Sequence, residues 1–354
     1  MRATIPINLT SDLVLSSTAA VVHTQPEYDS ATNYAASDLV SIAAEYAIYQ
    51  STANANLGKA PATSPAFWKK LGPTEAPYDP YMLYEMGATV SLNDRVYESL
   101  QGSNIGNTPI VLPLTGLWWL DVGPTNRSAM FDIKTNTKTT AAESLSVTVK
   151  PLKRVNTLGL AGMQANTVTI TAYSAYVGAQ VYGPVVVTLA TRVVANAWDY
   201  AFEPFSTTEN FVVFDLPQYS DLEITVVLSA PGGICVCGTV VVGDSYFLGS
   251  AQYGAKNEDL NFSTITRDAF GTATLIPRTA VPKADVTLIT PKSIIGTLRK
   301  VRQSLDGVAG LYTGVDDATS DWFDMLFVIG VYRSFAIDAS NFSNATISMQ
   351  IEGI

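Results

Sequence analysis

Along most of this chain apolar and polar residues alternate in short runs, the two-residue period of half-buried strands. Residues 144–149 read Ser-Leu-Ser-Val-Thr-Val, and similar runs occupy 155–160, 167–173, 184–189, 210–214 and 222–228. Turn residues separate them, the spacing of a β-sandwich. In the last third the runs 237–243, 262–265, 272–278, 327–332 and 346–351 again predict strands. Only residues 293–305 show helical spacing, with Ser293 as N-cap and Gly307 just past the end. The pattern predicts a mainly β protein with one C-terminal helix.

Nearer the N-terminus the pattern repeats itself. Tyr49, Gly58 and Pro61 recur 48 residues later as Tyr97, Gly106 and Pro109. Trp68 and Gly72 recur 51 residues later as Trp119 and Gly123, so the second copy has three extra residues before its Trp. Each copy predicts a short Tyr-bearing strand, an Asn-x-Gly turn whose Asn and Gly tolerate positive φ, and a closing Trp strand. Units this small bury little apolar surface, so the Tyr and Trp should supply much of it. Between the copies, residues 75–81 carry two prolines and read as a stiff linker.

The order strand–Tyr, Asn-x-Gly-x-x-Pro, Trp-x-x-Leu/Val-Gly resembles the small chitin-binding-type carbohydrate modules. Similar modules recur in the tail proteins of tailed bacteriophages. The resemblance implies sugar stacking on Tyr49 and Trp68, then on Tyr97 with Trp118 or Trp119. On the residues alone, the same rings could instead be the module core. Residues 126–132 (Asn-Arg-Ser-Ala-Met-Phe-Asp), with the later Leu-Gly-Leu and Thr-Val-Thr-Ile runs, resemble the galactose-binding-like jelly rolls attached to phage tail proteins. Arg127 and Asp132 flank that segment, as an ion pair or a site. Arg267 to Gly271, Arg278, the Gly-Val-Tyr-Arg at 330–333 and the terminal Ile-Glu-Gly are similar to the C-terminal part of tailed-phage virion proteins.

Composition narrows the chemistry. Charged residues are 15% of the 354, against about 25% in an average protein. Lys plus Arg number 21 and Asp plus Glu 31, a net charge of −10, which argues against a nucleic-acid partner. The single histidine, His23, stands away from any cysteine or carboxylate cluster. Cys235 and Cys237 cannot form a four-ligand zinc site and read as buried structural thiols. Asp316, Asp317 and Asp321 could together hold Ca²⁺, but their spacing follows no EF-hand and they read as a solvated turn. No signal peptide is read, and the longest apolar run, 325–332, is far short of the ~20 residues of a membrane span. No nucleotide loop, metal motif or activated nucleophile stands out, so no catalytic residue, metal or cofactor is expected.

The expected organisation is an N-terminal arm over 1–30, small β-modules over 31–76 and 77–125, a galactose-binding-like β-sandwich over 126–237, and a C-terminal β-rich assembly domain with one helix over 238–354. Segment 5–22 is expected to dock on a neighbour. With the resemblances, the expected function is that of a non-enzymatic structural protein of a tailed-phage virion (tail tip, baseplate or collar), made in the host cytoplasm. Its partners would be other tail proteins, copies of itself and host-surface glycan. The alternative is a stand-alone carbohydrate-binding protein that uses exposed Trp and Tyr.

Overall fold

The computed structural model describes residues 1–19, 26–42, 47–73, 75–109, 117–134, 136–191, 196–202, 206–267, 270–317, 320, 322–339 and 343–354. The mainly β expectation holds, as does the C-terminal helix, observed over Ile295–Ser304 behind a single 3-10 turn, Lys292–Ile294. Its buried Leu298 and Val301 face the sheet, three residues apart on one helical face.

The body is organised by an antiparallel sheet of ten strands among the described residues. From one edge it runs Phe211–Val213, Thr157–Ala161, Thr239–Phe247, Arg2–Pro6, Gly310–Thr313, Phe327–Asp338, Asn344–Gly353 and Val281–Pro291. Ser250–Ala251 and Lys256–Leu260 both pair with the last of these. A second, five-stranded sheet has the order Ala179–Thr188, Thr167–Ser174, Leu222–Cys237, Thr139–Val149 and Val14–Ser17. The core shared by the two sheets holds Leu145, Val147, Ile170, Ile224 and Leu228 together with Leu158, Leu160, Val240 and Val242. A separate core under the helix joins Val286, Leu288, Phe335, Ile347 and Met349.

Two expectations about organisation need correction. The first six residues are no arm. Arg2–Pro6 lies inside the large sheet, with Ala3 opposite Tyr246 on one side and Tyr312 on the other. Val14–Ser17 forms an edge of the second sheet, against Thr139–Val149. The run 1–6 is too short to show a period, and its partners lie some 240 and 310 residues away, so no local pattern reveals it. The boundary at 237/238 likewise separates no two units. Thr239–Phe247 packs in the sandwich core and also pairs with the N-terminal strand, so one sheet runs through both expected domains.

The strand Leu222–Cys237 also runs further than its pattern suggests. Pro231-Gly232-Gly233 reads as a turn, yet the strand continues beyond it. Residues 230–233 bulge opposite Glu143, after which Ile234 pairs with Ala142. A bulge lets a strand keep its ladder while absorbing extra residues.

Beyond the bulge, Cys235 and Cys237 are free and buried. Burial raises both thiol pKa values, that of Cys237 to about 12. The folded chain should therefore leave both unlabelled by maleimide at neutral pH, since the thiolate is the reactive form. Labelling should appear only on denaturation, and a mass shift of the native protein would contradict this.

Candidate carbohydrate-binding modules

Each small module is a three-stranded meander with a short flap. In the first, Leu39–Ile42, Ala47–Ser51 and Trp68–Pro73 pair in order, and Asn33–Tyr34 pairs with Asn56–Leu57. In the second, Thr89–Leu92, Arg95–Ser99 and Trp119–Pro124 do the same. A bulge follows Ile48 in one and Val96 in the other. The expected linker belongs to the second module, because Ala76–Pro77 pairs in parallel with Thr89–Leu92. Glu27 bridges Ser41 in the same way in the first. The modules therefore start near residues 26 and 76, which moves the expected boundary at 31.

The aromatic residues form the same cluster twice. Tyr28 and Tyr34 stack at 5.8 Å, and Trp68 meets them edge-on at 5.9 and 5.2 Å. Tyr78, Tyr84 and Trp119 repeat this at 5.8, 5.8 and 5.3 Å. These T-shaped contacts suit the ring quadrupoles. The Trp68 indole N–H donates to the Lys59 carbonyl and that of Trp119 to the Asn107 carbonyl, both at 2.6 Å. The Tyr34 and Tyr84 hydroxyls accept the backbone N–H of Asp29 and Asp79 at 2.8 and 2.7 Å.

The Asn-x-Gly turns work differently from the sequence expectation. Gly58 and Gly106 take positive φ, at +65° and +74°. The asparagines do not share that role. Asn56 and Asn104 are buried, and each amide donates to a serine hydroxyl, Ser51 at 3.0 Å and Ser99 at 2.9 Å. Each also reaches the carbonyl of the residue before the module Trp.

The candidate sugar-stacking residues are therefore mostly internal. Trp68 is 3% exposed, Tyr97 2%, Tyr49 6% and Trp119 7%. A ring packed on both faces offers none to a sugar. Of the five, only Trp118 is partly exposed, and it too packs against the second module's core. This corrects the stacking roles expected for Tyr49, Trp68, Tyr97 and Trp119. Tyr28, Tyr34, Tyr78 and Tyr84 went unnoticed in the sequence. Their signal was there: Tyr28, Asp29 and Tyr34 recur 50 residues later as Tyr78, Asp79 and Tyr84.

The other candidates scatter. Arg127 and Asp132 do not pair. Asp132 Oδ1 instead accepts from the Lys134 N–H at 3.0 Å and the Thr137 hydroxyl at 2.8 Å. Both residues line an open cleft of about 840 Å³ with Asn8, Asp12, Asp94 and Arg95. Arg95 is held across the second module by Asp121, at 2.7 and 2.8 Å. Asp316 pairs with Arg2 at 2.9 Å, while Asp321 and His23 lie outside the described residues. No helix among the described residues is long and apolar enough to cross a membrane.

No protein-family model matches the chain, and no curated protein aligns with it.

Proposed function

We propose that this protein is a structural component of a tailed-phage virion, in its tail tip, baseplate or collar, and that it acts by assembly rather than catalysis. The observation that carries the reading is uncovered apolar surface. The chain exposes 18952 Å². A compact monomer of its 37.8 kDa would expose roughly 13,800 Å². Large apolar side chains are among the exposed ones: Trp198, Tyr200 and Phe202 on the short helix Ala197–Phe202, and Phe262, Ile265, Phe270 and Leu275 around a projecting hairpin. Exposed clusters of large apolar side chains are the kind of surface that neighbours cover in assemblies. The virion assignment itself rests on the resemblance of the modules and the sandwich to tail-protein parts.

Stand-alone sugar recognition has less support, because four of the five rings assigned to it are packed inside the modules. A gold label on the C-terminus should decorate one symmetric substructure of intact particles in negative-stain micrographs. Intact particles without label would overturn the virion reading.

A further inference from the structure

The two modules share one skeleton, so each is a control for the other. Where the first has Ala31, Thr32, Asn33 and Ala36, the second has Tyr81, Met82, Leu83 and Met86, all exposed. Tyr81 is 88% exposed and Met86 74%. Thr52 of the first module becomes exposed Leu100, and Ala66 becomes exposed Leu117. These segments adjoin: Tyr84 and Asn104 exchange backbone hydrogen bonds, and the Gln101 side chain reaches the Leu117 carbonyl. The first module folds without such side chains, so folding does not require them. Together they leave on the order of 800 Å² open, one partner's share of a standard interface. The patch is also acidic. Its segments, residues 79–86, 100–107 and 117, carry Asp79 and Glu85 and no lysine or arginine.

The projecting hairpin has the complementary character. Thr264–Arg267 pairs with Ala273–Ile276 as a two-stranded sheet. Every described residue from 264 to 280 is exposed. At about 3.3 Å per residue the hairpin reaches roughly 25 Å past the pair Leu260–Val281, where the large sheet ends. Ile265 opposes Leu275 and Arg267 opposes Ala273, which places apolar and basic side chains on one face. Residues 261–280 carry Arg267 and Arg278 against Asp268 alone, a local positive excess in a chain of net charge −10. A lone two-stranded hairpin is marginally stable in water.

We infer that the hairpin over residues 261–280 of one copy docks on the apolar, acidic patch of the second module of the next copy. The partner is thus a second copy of this chain, and the contact is head-to-tail, with different surfaces on its two sides. Such contacts close into rings or run on as filaments. The inference specifies the partner for the assembly reading above and rests on it.

The test uses two double variants of the full chain. Ile265→Ser with Leu275→Ser disables the hairpin, and Tyr81→Ser with Met86→Ser disables the patch. All four side chains are exposed, so thermal melts followed by circular dichroism should match wild type. In sedimentation velocity across the micromolar range, wild type should form concentration-dependent oligomers and each variant should stay monomeric. Mixed, the two variants should give a one-to-one dimer that grows no further, because each retains one intact half of the contact. A monomeric wild type, oligomers that survive either variant, or a mixture that stays monomeric would each overturn the inference. A chain that is monomeric in solution yet labels the virion would overturn the hairpin contact and leave the virion reading standing.

Discussion

Trp119→Ala is expected to unfold the second module while the large β-body stays folded. The indole is buried, touches Tyr78 and Tyr84, and donates to the Asn107 carbonyl. Truncating a buried Trp costs about 3–5 kcal/mol. A domain this small holds about the same total stability, so one substitution exhausts it. The module core of Tyr84, Val90, Tyr97 and Trp119 is separate from that of the sandwich, which confines the damage. Hydrogen exchange should lose protection across Thr89–Leu92, Arg95–Ser99 and Trp119–Pro124 and keep it across Leu222–Cys237. Trp118→Ala, at a half-buried position, should cost less, and Trp68→Ala should do to the first module what Trp119→Ala does to the second. Unchanged protection with lost glycan binding would instead mark Trp119 as a surface ligand.

Ala3→Glu is expected to abolish folding of the whole body. Ala3 is fully buried between Thr239–Phe247 and Gly310–Thr313, and the strand that carries it bridges those two in the hydrogen-bonded sheet. A carboxylate there has no room and no partner, and burying an unpaired charge costs several kcal/mol. Total stabilities run about 5–15 kcal/mol. The variant should accumulate as insoluble protein, and its loss should be global, unlike that of Trp119→Ala. A soluble Ala3→Glu protein with a wild-type melt would mean that the N-terminal strand is dispensable. That result would fit an external arm.

The two expectations show where local pattern suffices. In the modules, the Tyr, Asn, Gly and Trp positions are close in sequence, and their duplication makes each one stand out. The repeat therefore announced the units, and Gly58 and Gly106 sit in turns as their type requires. Sequence could not say which way the rings face. An aromatic ring that packs a core and one that receives a sugar are written with the same residues, and the neighbours Tyr28 and Tyr34 decide between them. The amide of Asn56 shows the same limit: it was legible as a turn residue and became a buried donor to Ser51 only once the flap closed over it.

Residue pattern alone was enough for most strands of the sandwich, the C-terminal helix, the duplicated modules and the poverty of charge. All of these follow from periodicity, turn chemistry and composition within short windows. Tertiary structure alone decided that the first strand joins the sandwich to the C-terminal region, that one sheet crosses the expected boundary at 237/238, and that the module rings face inward. Each of those facts depends on pairing or packing between segments distant in the chain. Strand pairing carries no local signature, because any strand of suitable face can hydrogen-bond any other, and the choice is made when the whole core closes.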